Sequence, residues 1–379
     1  MPLLLVDVIC FLLVIAASVR CCYCIFCVIP LLRLAEKGTL NLQSNIEVVL
    51  PPISVIICAK NEATNLQQYL PHVLLQNYHQ FEVVVVNDAS TDETLNVLSE
   101  FKKKHAHLKV VTILQAEKTT MGGKRQALQA GIEHAQHNYL LLTDADCYPS
   151  SNLWIELMAK HFANGKEIVL GYGPYLSQNG WLSKVVAYET LHTAMRYLSC
   201  ALAGMPYMGV GRNLAYTKQL FYKSGGFDGQ THLTSGDDDL LVNKAATSNN
   251  TAIEIHRDAF CYSPPPSDWS EWYRQKARHL GAGKHYSTSH LLALGVLTMA
   301  DVLFYGMIIA SFLSGQLPLL LTGFCLFTII LNFSVYAWAT RVFKTKGLIW
   351  FIPLFDVIYP VYYLLFAPFI LTAKKISWN

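Results

Sequence analysis

The chain has 379 residues, of which 53% are hydrophobic and only 15% are charged, and its mean hydropathy is +0.30. Such a chain is too apolar for an ordinary soluble enzyme, and its composition indicates membrane segments. The net charge of +3 is mild, and no basic stripe with interleaved aromatic residues is present, which argues against a nucleic-acid-binding protein.

Charged residues are sparse at both ends of the chain, so we predict a soluble domain between two membrane regions. The N-terminal stretch 1–34 is predicted to be a transmembrane anchor, because it lacks the basic start of a cleaved signal peptide. A globular domain is expected at 50–284. The C-terminal region 291–373 should contain about three membrane helices, at 291–313, 317–339 and 348–373.

Basic residues beside the predicted spans favour a cytosolic position for the central domain. They form three groups: Arg33 and Lys37; Arg274, Lys276, Arg278 and Lys284; and Arg341, Lys344 and Lys346. We therefore expect an integral membrane protein of the bacterial inner-membrane type. This orientation would place Lys374 and Lys375 outside the cytosol, which disagrees with the rule. The prolines in 348–373 leave open whether that segment spans the membrane or is re-entrant.

The central domain begins with alternating strand and helix patterns. Short apolar runs rich in β-branched residues predict buried parallel strands at 53–58, 81–88, 108–114 and 139–146. Helical patterns separate these runs. The alternation predicts an α/β fold with a doubly wound sheet.

Acidic residues follow three of these strands, at Glu62, Asp88 and the pair Asp144 and Asp146. Ligands of such sheets bind beyond the carboxyl ends of the strands. Carboxylates gathered there repel one another unless a cation or hydrogen-bond donors join them. An Asp-x-Asp pair suits Mg²⁺ or Mn²⁺ shared with a substrate phosphate. Helix capping is the alternative for any single acid, and we prefer it for Asp92.

The stretch GGKR at 122–125 is not a phosphate-binding P-loop, because Arg125 stands where that motif needs Ser or Thr. Lys124 and Arg125 at a helix start can bind an anionic phosphate or form a solvated helix end, and the sequence favours neither.

Two later stretches carry further candidates. SGDDDLL at 235–241 opens a helix with three acids, which is more than capping needs, so one of them can be a catalytic base. The stretch 269–286 predicts an interfacial membrane helix, with the helical part at 269–284. Gln275, Arg278 and His279 on this helix can still face an active site.

Taken together, these stretches resemble the family 2 glycosyltransferases, whose catalytic domain has the GT-A fold. The matching motifs occur in order between about 50 and 284: PPISVIICAKNEATNL, VVVVNDASTDET, GGKRQALQAG, LLLTDADCYPS, GRNLAYTKQLFYKSGGFDG, SGDDDLL and QKARH. The flanking apolar segments also resemble membrane-bound members of that family.

The resemblance implies roles for the donor site. Ala59 and Glu62 would hold the nucleoside, and Asp88 would contact the base. Asp144 would lie near the ribose and diphosphate, and Asp146 would hold the divalent metal. Lys124, Arg125 or Arg278 can assist the leaving diphosphate.

The resemblance also implies a general base. Asp237 is the best match, and Asp238 is its rival, because Gly236 stands where the family usually has an acid. The Gln-x-x-Arg-Trp motif of processive synthases appears as Gln275 and Arg278 followed by His279, so His replaces the Trp that lines the acceptor channel there.

We therefore expect an inverting hexosyltransferase. It would move a sugar from a nucleotide-diphosphate donor, with UDP the expected nucleotide, to a lipid, lipid-linked or glycan acceptor at the cytosolic membrane face. The alternatives are a processive polysaccharide synthase, and a non-enzymatic scaffold or transporter with a degenerate domain. The acids Asp301 and Asp356 lie within predicted membrane segments, so the transporter hypothesis stays open. Pairing of these acids inside a helix bundle would also explain them.

Overall fold

The computed structural model describes residues 3–38, 49–117, 124–228, 236–315, 318–345 and 347–372. These residues divide into two compact units. The helical unit contains Met1–Lys37, Asn179–Ser199 and Ser287–Thr372, and the sheet unit consists mainly of Gly38–Gln178 and Cys200–Tyr286.

The α-helices are, in chain order, α1 (Leu3–Tyr23), α2 (Ile29–Gly38), α3 (Ala63–Leu74), α4 (Thr94–Lys104), α5 (Arg125–His134), α6 (Trp154–Ala163), α7 (Trp181–Leu202), α8 (Lys218–Lys223), α9 (Asp237–Ala245), α10 (Trp269–Gly283), α11 (Thr288–Ser314), α12 (Leu319–Val342) and α13 (Ile352–Thr372). A π-helical turn, Cys24–Val28, joins α1 to α2.

The strands are β1 (Ile53–Ala59), β2 (Phe81–Asp88), β3 (Leu108–Ile113), β4 (Tyr139–Asp144), β5 (Tyr148–Pro149), β6 (Ile168–Gly171), β7 (Leu214–Thr217), β8 (Thr251–Glu254) and β9 (Cys261–Tyr262). Seven of them form one sheet in the order β3-β2-β1-β4-β7-β6-β8, while β5 and β9 pair separately. This mixed sheet confirms the predicted α/β fold class.

The parallel part of the sheet follows from its sequence. All residues of β1 are buried, and β1 pairs in parallel with β2 and β4. Helices α3 to α5 connect these strands, so both faces of this part of the sheet are covered and most strand residues are apolar. The predicted strand 139–146 ends at Asp144, so Asp146 lies in the turn beyond it.

A buried asparagine, Asn213, holds the turn before β7, the strand that joins the antiparallel part of the sheet to the parallel part. Asn213 has no exposed surface and accepts a hydrogen bond of 2.9 Å from Trp154 Nε1. Its amide nitrogen donates to the carbonyl oxygens of Tyr172 and Ala259, each at 2.8 Å. Buried polar groups need such partners. The three bonds therefore hold the turn that precedes β7 in one position.

Among the described residues of the helical unit, three helices are long and apolar enough to cross a membrane: Val6–Gly38, Thr288–Ser314 and Leu319–Val342. The prolines of the last predicted segment lie inside one helix, α13, rather than at a break in it.

Charged side chains pair inside this unit. Arg20 Nη1 lies 2.7 Å from Asp301 Oδ1, and Arg20 Nη2 lies 2.9 Å from Asp356 Oδ2. Arg196 Nη2 lies 2.6 Å from the second oxygen of Asp301, and Tyr305 donates to Asp356. The predicted pairing of Asp301 and Asp356 inside a helix bundle is confirmed.

Helix α7 differs from the sequence-based division of the chain, which placed its residues in the 50–284 domain. Residues 179–199 group instead with the terminal helices. Hydropathy does not reveal α7 because Lys184, Glu189 and Arg196 interrupt its apolar face, and Arg196 is paired only once the chain has folded.

Replacing Asp301 by Leu should strongly destabilise the helical unit. Arg20 and Arg196 would remain buried without this counter-charge, which typically costs about 3–5 kcal/mol. Thermal unfolding of the detergent-solubilised protein should show a much lower midpoint for Asp301→Leu than for Asp7→Asn, which changes an exposed acid of the same unit. Equal midpoints for the two variants would contradict this account.

Candidate active site

The loops after β1 and β2 are tied together at the carboxyl edge of the sheet. Asn61 N donates to Ser90 Oγ at 2.9 Å, and Thr91 N donates to Asn61 Oδ1 at 2.8 Å. Asn61 has φ 58° and Ala89 has φ 53°, in the left-handed region that non-glycine residues seldom adopt. Such strain occurs preferentially at functional sites.

Glu62 lies at this edge in an acidic surrounding. Its backbone N–H donates to Thr94 Oγ1, and Asn65 Nδ2 donates 2.6 Å to its carboxylate. Burial raises the pKa of Glu62 to about 7, against the hydrogen bond from Asn65 and with help from the charges of Asp146 and Asp144. The predicted strand-end acids of β1 and β4 therefore act on one another.

Two other predicted donor residues end neighbouring strands. Ala59 is the last residue of β1 and Asp88 is the last residue of β2, and both are fully buried. Asp92 instead caps helices, as predicted. Its carboxylate accepts from Thr94 N at 3.0 Å and from Ala63 N at 3.2 Å.

The acid pair after β4 forms a possible cation site. Ligand atoms of Asp144, Asp146 and Cys147 lie within 4.8 Å of one another. Burial and the neighbouring charge of Asp144 raise the pKa of Asp146. Burial also raises the pKa of Cys147, whose thiol donates to Asp146 at 3.2 Å. A protonated thiol is a poor ligand for hard cations, so the two carboxylates fit Mg²⁺ or Mn²⁺.

Lys124 and Arg125 do not form a solvated helix end. Lys124 Nζ lies 2.7 Å from Asp144 Oδ1, with the lysine side chain 19% exposed, and Arg125 is fully buried at the start of α5. Residues 118–123, which include Gly122 and Gly123 of the GGKR stretch, lie outside the described residues. Lys124 of the GGKR stretch thus forms an ion pair with Asp144 of the acid pair.

Arg212 belongs to the site and was not assigned from the sequence. Its guanidinium carbon lies 4.1 Å above the ring of Tyr175, and Nη1 donates to Ser263 Oγ at 3.1 Å. Its charge acts to lower the pKa of Asp146, against the dominant effect of burial. Gly173 leaves room for it, since a Cβ there would come 2.6 Å from Arg212 Nε. The sequence feature that could have assigned Arg212 to the site is its position in the GRNLAYTK motif.

The three acids that open α9 have different surroundings. The carboxylate of Asp238 lies against Gly211, where an added Cβ would come 1.9 Å from Asp238 Oδ2. Asp239 accepts a hydrogen bond of 3.1 Å from Tyr286. Asp237 is the first residue of α9, and its side chain lies outside what the structure describes. Asp238 thus approaches the turn that carries Arg212.

The α10 residues take different positions. Gln275 Nε2 donates to Tyr175 Oη at 2.9 Å, so it joins the ring on which Arg212 stacks. Arg278 is partly buried on the same helix, and the side chain of His279 lies outside the described residues.

A seven-stranded mixed sheet with an acid pair at the edge of β4 and cations beside it defines a GT-A transferase class. The model for Glycosyl transferase family 2 matches residues 54–221, and the model for Glycosyl transferase family group 2 matches residues 139–372. The second match covers more than half of the chain, which therefore belongs to the family 2 glycosyltransferases, as the resemblance predicted.

Among curated relatives, the chain is 26% identical over 253 residues to the probable glycosyltransferase YdaM of Bacillus subtilis, covering 64% of this chain and 58% of that one. It is 36% identical over 94 residues to a poly-beta-1,6-N-acetyl-D-glucosamine synthase of Staphylococcus epidermidis, covering 25% of this chain and 21% of that one. The chain thus matches less than two thirds of the length of both relatives.

A solved structure shares the fold. The mannosyltransferase PcManGT from Pyrobaculum calidifontis, in complex with GDP-Man and Mn²⁺, aligns with a TM-score of 0.53 at 19% identity. The alignment covers 94% of this chain and 99% of that one.

Glu62 should make the metal-free protein less stable as the pH rises. Its carboxyl has a folded-state pKa of about 7 against an ordinary 4.5, so folding favours the protonated form. The stabilisation is complete below the ordinary pKa and is lost as the pH rises through about 7. Unfolding midpoints of Glu62→Gln should therefore depend less on pH across this window than those of the unaltered protein.

Glu93→Gln, which changes an exposed acid close in sequence, is the matched control and should keep the full pH dependence. If the unfolding midpoint of Glu62→Gln varied with pH as strongly as that of the unaltered protein, the raised pKa of Glu62 would be contradicted.

Proposed function

We propose that the chain is an inverting hexosyltransferase of the cytosolic membrane face, in a bacterial-type inner membrane. It transfers one sugar from a nucleotide-diphosphate donor, with UDP the expected nucleotide, to a lipid, lipid-linked or glycan acceptor. Family membership supports the transfer chemistry. The apolar helices support a membrane-bound acceptor. PcManGT, which has the same fold, was solved with a nucleotide sugar and Mn²⁺.

The observation that carries the proposal is the convergence of Asp144 and Asp146 beside Lys124 and Arg212. A diphosphate with a divalent ion carries both signs of charge. The carboxylates of this site can face the metal ion, and its cations can face the phosphates. Asp146, with Asp144 beside it, would hold Mg²⁺ or Mn²⁺, which neutralises charge on a leaving diphosphate. Lys124 and Arg212 are proposed to bind the diphosphate oxygens.

The residues Ala59, Glu62 and Asp88 are proposed to hold the nucleoside. They lie at the ends of adjacent strands β1 and β2, at the edge where nucleotides bind in α/β sheets. Arg125, Gln275, Arg278 and His279 are proposed to complete the donor site. The bond from Gln275 to Tyr175 supports this for one of them, because Tyr175 also carries Arg212.

The acceptor hydroxyl attacks the anomeric carbon from the face opposite the diphosphate, which inverts that centre. A carboxylate of α9 takes the hydroxyl proton as the new glycosidic bond forms and the bond to the diphosphate breaks. Asp237 is proposed as this base from the family motif. Asp238 is the second candidate, supported by its place against Gly211 and beside the turn of Arg212.

A processive polysaccharide synthase is the second candidate function. It is favoured by the similarity to the N-acetylglucosamine polymer synthase, over a quarter of this chain. His279 in place of the family's channel Trp favours single transfer. Product length, measured by mass spectrometry after incubation with excess donor, separates the two. A scaffold with a degenerate domain receives no support from the family match.

Asp146→Asn should abolish metal-dependent release of nucleoside diphosphate from a panel of sugar nucleotides. Losing one metal-binding carboxylate should lower the rate about 100-fold or more, because charge on the leaving group is no longer offset. Asp258→Asn, a partly exposed acid of the same unit, is the control and should retain activity. Release by Asp146→Asn at the control's rate would overturn the proposed metal site.

Gly211→Ala should identify the base. The three atoms nearest to the added Cβ all belong to the carboxylate of Asp238, so the substitution should displace that side chain rather than the backbone and folding should persist. If Asp238 is the base, kcat should fall in Gly211→Ala as in Asp238→Asn, by about 100-fold or more, while donor affinity stays within a few-fold. If Asp237 is the base, as proposed, Asp237→Asn should be inactive and Gly211→Ala nearly unaffected.

A further inference from the structure

The short turn before β7 presents three consecutive residues to three different surroundings. It is a single 3₁₀ turn, Gly211–Asn213, and β7 begins directly after it. Gly211 lies against the carboxylate of Asp238, and Arg212 stacks on an aromatic ring. Asn213 is turned into the interior and has no exposed surface. A displacement of this turn would therefore move a cation of the site and change the space beside a candidate base.

The amide of Asn213 attaches the turn to three separate elements. Trp154 Nε1, in the first turn of α6, donates to Asn213 Oδ1 at 2.9 Å. Asn213 Nδ2 donates at 2.8 Å to the carbonyl oxygens of Tyr172, which follows β6, and of Ala259, which precedes β9. An indole N–H can only donate, so Trp154 determines which end of the amide is the oxygen. The amide nitrogen must then face the two carbonyl groups.

Two glycines leave room for the side chains of this turn. A Cβ on Gly171, the last residue of β6, would lie 2.4 Å from Asn213 Cγ. A Cβ on Gly173 would lie 2.6 Å from Arg212 Nε. Glycine within a strand often marks such a close approach. The space around Asn213 therefore fits its amide and leaves no room for a longer side chain.

The guanidinium of Arg212 has only neutral partners among these contacts. Its Nη1 donates to Ser263 Oγ at 3.1 Å, and its carbon lies 4.1 Å above the ring of Tyr175. Its Nε has no hydrogen-bond partner among the described residues. The guanidinium can therefore still donate to a phosphate, and such charge-assisted bonds depend on accurate placement. That placement depends on the backbone of the turn.

We propose that Asn213, oriented by Trp154, is a positioning residue that holds the guanidinium of Arg212 where the donor diphosphate binds. The inference rests on the proposed function, in which Arg212 binds this diphosphate. Asn213 itself acts through the backbone of the turn and through no contact with the donor. Its effect on donor binding should therefore require Arg212, whereas a merely structural residue would act independently of it.

The test is a double-mutant cycle on the full chain in detergent. Calorimetry measures binding of UDP or GDP with Mn²⁺, using whichever nucleotide the unaltered protein binds more tightly. Arg212→Ala should weaken binding about tenfold, because charge-assisted bonds to the diphosphate are lost. Asn213→Ala should weaken it almost as much, and Trp154→Phe, which keeps an aromatic ring but removes one donor, about threefold. In the Arg212→Ala background, both substitutions should change affinity by less than about twofold.

Asn250→Ala is the matched control. Asn250 also binds the backbone through its amide, since Nδ2 donates to the Ala245 oxygen at 3.0 Å and Oδ1 accepts from Thr247 N at 2.8 Å. It belongs to the same unit but not to the turn of Arg212. Asn250→Ala should lower the unfolding midpoint, as Asn213→Ala does, and leave nucleotide affinity unchanged.

The cycle separates failure of this inference from failure of the proposed function. If Asn213→Ala and Trp154→Phe weaken binding equally with and without Arg212, the positioning role is overturned while the diphosphate contact of Arg212 stands. The same conclusion follows if both leave the affinity unchanged, or if Asn250→Ala weakens it to the same degree. If Arg212→Ala binds the nucleotide as tightly as the unaltered protein, the proposed diphosphate contact is overturned, and the positioning role with it.

Discussion

Mutual repulsion among carboxylates at one edge of the sheet is the constraint on which the site depends. Burial raises the pKa of Glu62 and of Asp146, and the neighbouring charge of Asp144 raises both further. The fold offsets this with Lys124 from the start of α5 and Arg212 from the turn before β7. A bound divalent ion would add to this compensation.

The same principle operates in the helical unit, with a different result. There two arginines, Arg20 and Arg196, pair directly with two aspartates, Asp301 and Asp356, so this network needs no external ion. The sheet unit has acids that remain short of positive charge, which suits a site that binds a metal. The helical unit has a set of ion pairs in which both signs of charge balance, which suits helix packing.

Local patterns predicted the parallel strands closely, because the run ISVIIC is buried along its whole length and FEVVVVND is buried at every residue but Phe81. The acids of the site were also predictable, since each follows a strand directly. Arg212 was not, because its role depends on Tyr175 and Ser263, which are distant in sequence. Helix α7 was missed for a similar reason: its charges look solvated until Asp301 is placed beside Arg196.

The position of α7 in the chain limits how the two units can be separated. It is encoded between β6 and β7, inside the catalytic sequence rather than at either end. A fragment cut at 50 and 284 would still contain this helix but would lose α1, α11, α12 and α13, against which Arg196, His192 and Tyr188 are buried. Trimming the termini therefore cannot yield a soluble catalytic domain. An internal linker that replaces 179–199 would be needed as well.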